Sequence, residues 1–195
     1  MEPVKIGLLG LGTVGGGTVT VLTRNAAEIA RRAGREIHIA RAAAHQYNPD
    51  IPGLDQIGQI GNDGFALVDD PEIDIVIELI GGYSPARELV LRAIANGKHV
   101  VTANKALIAR HGNEIFAAAR EQGVVVAFEA AVAGGVPIIK ALREGLAANH
   151  IEWIAGIING TGNFILTEMR DKGRDFADVL AEAQALGYAE ADPTF

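Results

Sequence analysis

The sequence predicts an α/β protein, a doubly wound parallel sheet followed by the start of a second, mixed α/β domain. Short runs of β-type aliphatics at 4–9, 37–44, 73–80, 98–103 and 123–128 alternate with longer stretches of helical periodicity. That alternation is the pattern of strands joined by helical crossovers. Between the first run and the first helical stretch, Gly10, Gly12 and Gly15 have the G-x-G-x-x-G spacing. The first glycine permits a tight turn, the second lets a pyrophosphate approach the backbone, and the third lets helix and strand pack closely. The helix behind the turn offers free N–H groups and a partial positive charge to phosphates. A dinucleotide is therefore the expected ligand of this end of the chain.

Composition narrows the function classes. The 195 residues are 49% hydrophobic and 21% charged, enough for an ample core and the beginning of a second domain. No run of apolar residues is long enough to span a membrane and no cleavage signature follows the first strand, so a cytoplasmic location is expected. The absence of cysteine removes disulfides, thiolate zinc sites and a cysteine nucleophile. A net charge of −7 with scattered basic residues argues against a nucleic-acid partner. His38, His45, His99, His111 and His150 never fall in metal-ligand spacing and read as structural or surface groups.

Taken in order, Val14, Thr18, Val21, Leu22, Ala26 and Ile29 recur at helical intervals, predicting one helix closed by Gly34 with Arg31 and Arg32 in its last turn. The second strand, 37–44, ends at Ala44, His45 and Gln46 without a carboxylate for the adenine ribose. Glu36 precedes that strand, at the wrong end of the sheet. The pocket should tolerate a 2′-phosphate, with Arg41 the nearest guanidinium, so NADP is expected and NAD is possible. Residues 46–72, rich in Gly, Pro, Asn and Asp, read as a variable surface excursion. The strand at 73–80 stops at Gly81-Gly82, a pair suited to close approach by a ligand, with a plain turn as the alternative. Ser84 then reads as a helix cap and Pro85 as the first helical residue.

The strand at 98–103 delivers Asn104 and Lys105 to the sheet edge where the cofactor should lie, just before a helix reaching about Glu121. Lysine suits a first helical turn poorly on dipole grounds. Placed there, Lys105 can orient a carbonyl or carboxylate, or exchange a proton. The segment 129–137 that follows strand 123–128 has almost no side-chain function apart from Glu129, so it offers backbone: carbonyls for a hard cation or N–H groups for an anion. Pro137 starts a helix through Leu142 and Leu146. Residues 151–158 read as a strand of a different domain, ending in the polar turn 159–163 with Asn159, Gly160 and Thr161 fit for a small polar substrate. Helices at 164–172 and 175–186 lead to a turn-rich end without a closing element, which suggests a longer protein.

Together these stretches resemble homoserine dehydrogenase across essentially the whole chain. The motifs are GLLGLGTVG at 7–15, GKHVVTANKAL at 97–107, EAAVAGGVP at 129–137, GIINGTGNFIL at 156–166 and LGYAEADPTF at 186–195. The resemblance implies a Rossmann domain over 1–130 and the beginning of a catalytic and dimerisation domain over 131–195. It implies oxidation of L-homoserine to L-aspartate 4-semialdehyde with NAD(P), or the reverse, towards threonine and methionine. Carried over by residue, it implies cofactor binding at Gly10, Gly12, Thr13, Val14 and Gly15, with Lys105 near nicotinamide and substrate. Carbonyls of Glu129, Val132, Gly134 and Val136 would hold sodium, and Glu190 the substrate's amino group. A homodimer or larger homo-oligomer is implied for the whole protein. The family motif continues to an aspartate and a proton-transferring lysine that are not among these residues, so this stretch alone should bind cofactor without turnover. Two readings compete. A sugar or inositol dehydrogenase typically has Glu-Lys-Pro where this chain has Asn104-Lys105-Ala106, and a non-catalytic nucleotide sensor needs no polar substrate turn.

Overall fold

The computed structural model describes residues 2–157 and 159–189. The chain divides into two compact units, Met1–Ile139 and Lys140–Phe195. In the first, strands β1 (Val4–Leu9), β2 (Ile37–Ala43), β3 (Gln59–Gly61), β4 (Ile75–Glu78), β5 (His99–Thr102) and β6 (Val126–Ala127) form one sheet in the order β3-β2-β1-β4-β5-β6. Every neighbouring pair is parallel. The chain winds outward from β1 in both directions, which places the topological switch, and with it the expected ligand crevice, outside the carboxyl ends of β1 and its neighbours.

Alternation along the strands feeds two cores. Leu8, Ala42 and Ile77 point to the face shared with Val19 and Leu11, whereas their neighbours Leu9, Ala43 and Val76 point to the face shared with Leu89, Val90, Leu107 and Ile115. Helices α1 (Thr13–Arg24) and α2 (Ala26–Ala33), with α3 (Gly64–Val68), α4 (Ala86–Ala95) and α5 (Lys105–Gln122), complete the unit. Fully burying an aliphatic side chain such as Leu8 or Leu9 contributes about 1.5–3 kcal/mol each.

Several expectations are corrected. The single helix predicted before Gly34 is two, parted at Asn25, whose backbone leaves helical geometry. Its buried side is also not the full predicted stripe: Val14 and Val21 are exposed, Val19 enters the core with Leu22 against it, and Gly15 and Gly16 are buried against the Gly10 turn and Ile51. Small residues let α1 approach too closely for larger neighbours to carry the contact. The stretch 46–72 is no mere excursion. It supplies edge strand β3, α3 and a 3₁₀ turn at Leu54–Gln56. Ser84 does not cap α4; Pro85 holds the cap position, and the Arg87 N–H donates to the Tyr83 carbonyl at 2.8 Å. Strand β6 is shorter than 123–128.

A helical turn α6 (Ile138–Lys140) closes the first unit and runs on into a π-type stretch, Ala141–Gly145, of the second. Helices α7 (Gly160–Lys172) and α8 (Phe176–Ala185) pack through Ile165, Val179 and Ala183. The strand expected at 151–158 is not formed over 151–157: no strand among the described residues lies beside it to take its backbone groups, and Trp153, Ile154 and Ile157 are exposed. The polar turn expected at 159–163 is the first turn of α7. No helix among the described residues is long and apolar enough to cross a membrane.

Candidate functional site

The site begins where β1 ends. Gly10 turns with φ +96°, and a Cβ there would stand 2.7 Å from the Leu79 carbonyl oxygen, so only glycine makes this turn. A Cβ on Gly15 would stand 2.1 Å from the Gly10 carbonyl oxygen, which is the close helix-to-turn packing expected of the third glycine. Gly12 differs. Nothing lies within 4 Å of a Cβ built on it, because the position looks onto open space. Gly12 is the N-cap of α1 with no side-chain cap, and the first turn, with Thr13 and Val14 exposed, carries no acidic residue. Its N–H groups and the helix dipole are thus presented outward.

Two cavities adjoin this turn. One, about 560 Å³, lies between Gly12, Thr13, Gly16 and Thr20 of α1 and the segment Gln46, Tyr47, Asn48, Asp50, Ile51 and Pro52. That segment, unassigned by sequence reasoning, is held on α1 by Ile51 packed over Gly16, and the Thr20 hydroxyl, which donates to the Gly16 carbonyl at 3.0 Å, also lies 3.4 Å from the Pro52 carbonyl. Alternation of polar and turn residues hides such a wall from a linear reading. The other cavity, about 330 Å³, runs from Gly10 and Gly12 past Ala44, His45 and Gln46 to Leu79 and Ile80. Both are lined by Leu11, Gly12 and Gln46, so both open beside the glycine turn, where a dinucleotide is expected. Glu36 lies at the opposite end of β2, as expected, where its carbonyl accepts from Val4 N–H. Arg41 already has a carboxylate partner. It donates to the Asp70 carboxylate at 2.9 Å, and this pair is partly buried. The Asp70 carboxyl is held below the usual range by the Glu72 backbone N–H and then by Arg41.

On the other side of β1, sequence reasoning missed Glu78. The register sets Leu9 beside Glu78 and Glu78 beside Thr102 at the carboxyl edge. Glu78 is fully buried. Its Oε1 accepts from the Ile80 N–H at 2.9 Å and the Gly81 N–H at 3.2 Å, and its Oε2 from the Thr102 hydroxyl at 2.6 Å. The Asn104 side-chain amide donates to Glu78 at 3.5 Å and to the Gly82 carbonyl at 2.7 Å, while its Oδ1 accepts from the Leu107 N–H and caps α5. Lys105, exposed, is the first helical residue after this cap, at the same edge as Gly10–Gly15. The only sequence signal for Glu78 was a carboxylate inside an apolar run just before two glycines.

The segment after β6 leaves from that edge as well. The Glu129 carboxylate accepts from the Ile139 N–H at 2.9 Å, so it braces α6. The carbonyls of Glu129 and Val136 each accept one backbone N–H, from Val132 and Ile138, and Ala133 is held at φ +48°. Each such carbonyl keeps a second lone pair, and with Val132 and Gly134 the set is all oxygen, the donor chemistry of a hard cation. In the second unit Asn159 caps α7, its Oδ1 accepting from the Gly162 N–H at 2.6 Å, Gly160 opens the helix, and the Thr161 hydroxyl donates to the Tyr188 carbonyl. Glu190 lies outside the described residues.

The model of the homoserine dehydrogenase NAD binding domain matches residues 10–129, and that of homoserine dehydrogenase matches residues 137–195. The chain belongs to the homoserine dehydrogenase family. It is 71% identical over 195 residues to a homoserine dehydrogenase of Pseudomonas aeruginosa, all of this chain against 44% of that one, and 41% identical over 198 residues to one of Bacillus subtilis, all of this chain against 45% of it. Among solved structures, a homoserine dehydrogenase from Thiobacillus denitrificans superposes with a TM-score of 0.92 at 70% identity, over all of this chain and 45% of that one. A hyperthermophilic archaeal homoserine dehydrogenase in complex with NADPH superposes with a TM-score of 0.80 at 28% identity, over 99% of this chain and 64% of that one. The chain thus spans about half the length of the curated homoserine dehydrogenases it matches.

Proposed function

We propose that the protein carrying this chain interconverts L-homoserine and L-aspartate 4-semialdehyde, on the route to threonine and methionine, with NADP as cofactor and NAD as a possible substitute. The observation that carries this reading is the outward-facing start of α1 behind Gly10–Gly15, at the switch point of a homoserine dehydrogenase-family sheet. A bound nicotinamide would supply or accept the hydride at the substrate's C4. Gly10, Gly12, Thr13 and Val14 bind the phosphates through backbone N–H groups, and Gly15 lets the helix close behind them. Lys105 donates to the substrate oxygen and holds the reacting carbon against the ring. Glu190 pairs with the substrate ammonium, and Asn159, Gly160 and Thr161 bind the same substrate. Carbonyls of Glu129, Val132, Gly134 and Val136 take a sodium ion. Ala44, His45 and Gln46 after β2 support NADP, since none of them is a carboxylate that would repel a 2′-phosphate.

A polypeptide limited to these 195 residues is proposed to bind cofactor without turnover, because the proton-transferring lysine of the resemblance is not among them. The whole protein is proposed to be a cytoplasmic homodimer or larger homo-oligomer, with a small amino-acid substrate and neither nucleic acid nor membrane as partner. The test is NADPH formation by the full-length protein with L-homoserine. Homoserine-dependent turnover is expected; a protein that binds NADPH but turns over no homoserine overturns the reading.

A further inference from the structure

Glu78 holds together the two segments that frame the nicotinamide half of the crevice. With the adenine ribose at the end of β2 and the phosphates at the end of β1, the remaining half of a dinucleotide extends over β4 and β5. The turn after β4 lines the cavity there through Leu79 and Ile80, and it continues through Gly81 and Gly82, at φ +79° and +68°. The segment after β5 carries Asn104 and Lys105. Glu78 accepts from Ile80 and Gly81 on one side, and from Thr102 and Asn104 on the other. Asn104 closes the ring by donating to Gly82. The Thr102 hydroxyl also accepts from the Asn104 N–H at 3.0 Å, which commits its proton to Glu78. Every partner of Glu78 is a donor, so only a side chain with acceptors on both branches satisfies all of them.

Burying a carboxylate is costly. An apolar residue would end β4 without that cost but would leave the Ile80 and Gly81 N–H groups and the Thr102 hydroxyl without their acceptor, with the Asn104–Gly82 hydrogen bond still joining the two segments.

We infer that Glu78 is a positioning residue for hydride transfer: through Ile80–Gly82 and Thr102–Asn104 it sets the nicotinamide floor and Lys105 at a fixed separation. This inference rests on the dehydrogenase reading above. Gly12 and Thr13 are not partners of Glu78, and Gly10 meets the turn after β4 at the Leu79 backbone rather than at the carboxylate, so loss of Glu78 weakens reactivity more than cofactor affinity. A misplacement of order 1 Å at a reacting centre costs about 100-fold in rate.

In the full-length protein, Glu78→Gln puts an amide donor against the Thr102 hydroxyl or the turn N–H groups. The account predicts an NADPH dissociation constant within about threefold of the parent protein. It predicts a kcat about 10- to 100-fold lower, and a lower fluorescence anisotropy of the bound nicotinamide. Thr102→Val reproduces this pattern, Thr102→Ser restores the parent values, and the double variant Glu78→Gln/Thr102→Val is no worse than the poorer single one. Unchanged kcat and anisotropy in Glu78→Gln and Thr102→Val overturn the inference. So does a parallel loss of NADPH affinity, melting temperature and kcat, the mark of a purely structural group. If Glu78→Gln is not recovered folded, Thr102→Val against Thr102→Ser decides by the same readouts. A parent protein that binds NADPH without turning over homoserine sinks the dehydrogenase reading, while the anisotropy comparison still decides the role of Glu78.

Discussion

Helices α1 and α5 both begin at the carboxyl edge of the sheet, after strands β1 and β5 on either side of β4, yet their starts are built in opposite ways. α1 starts at Gly12 with no side chain on its first N–H groups, and a Cβ at that position would meet nothing. α5 starts at Asn104, buried, with its amide oxygen on the Leu107 N–H and its amide nitrogen on the Gly82 carbonyl. An open helix start leaves donors and positive dipole for a bound anion. A closed one satisfies itself and becomes a rigid platform for the next residue, Lys105. One start binds and the other positions.

The comparison is broken or sharpened first at Gly15. Gly15→Ala places a Cβ against the Gly10 carbonyl oxygen, a backbone atom that cannot step aside. A loss of about 1–3 kcal/mol in unfolding free energy, with dinucleotide binding abolished, is expected by denaturant titration and calorimetry. Asn104→Ala removes the cap on α5 and its tie to the glycine turn, at a cost of about 1–2 kcal/mol by denaturant titration. Near-neutral stability there would mean that α5 is as open as α1.

Asp70→Asn tests whether Arg41 is structural. The native Asp70 carboxyl titrates below its unfolded counterpart, so its stabilisation is full above about pH 4 and is lost as the pH falls through the lowered value. The variant should be less stable by under about 1 kcal/mol at neutral pH. The deficit should shrink on acidification, with NADPH affinity unmoved. The smallest effect concerns the cofactor: NADPH should bind at least as tightly as NADH in a fluorescence titration, and a clear NADH preference would show that the end of β2 is not what discriminates.

How much of this was legible in the sequence follows from what each feature depends on. The β1-to-α1 turn was readable because three glycines at fixed spacing encode a local backbone path. Asn104 and Lys105 were readable as an edge position, since a short strand and a helix start are both local. Glu78 was not. Its role arises from β4–β5 register, which sets it beside Thr102 and is written 24 residues away. The wall at Tyr47–Pro52 was missed because its contacts with Gly16 and Thr20 are equally non-local. The break at Asn25 lay inside an unbroken helical pattern. In 151–157 an apolar run alone implied a strand, although a strand exists only beside a partner.

The most direct test is Gly12→Asp in the full-length protein, with NADP binding followed by calorimetry and melting measured without ligand. Aspartate suits an N-cap facing open space, so the melting temperature should hold or rise, while its charge repels the phosphates and weakens NADP binding by at least about tenfold. Undiminished NADP affinity in Gly12→Asp would contradict the claim that the open start of α1 is the cofactor site.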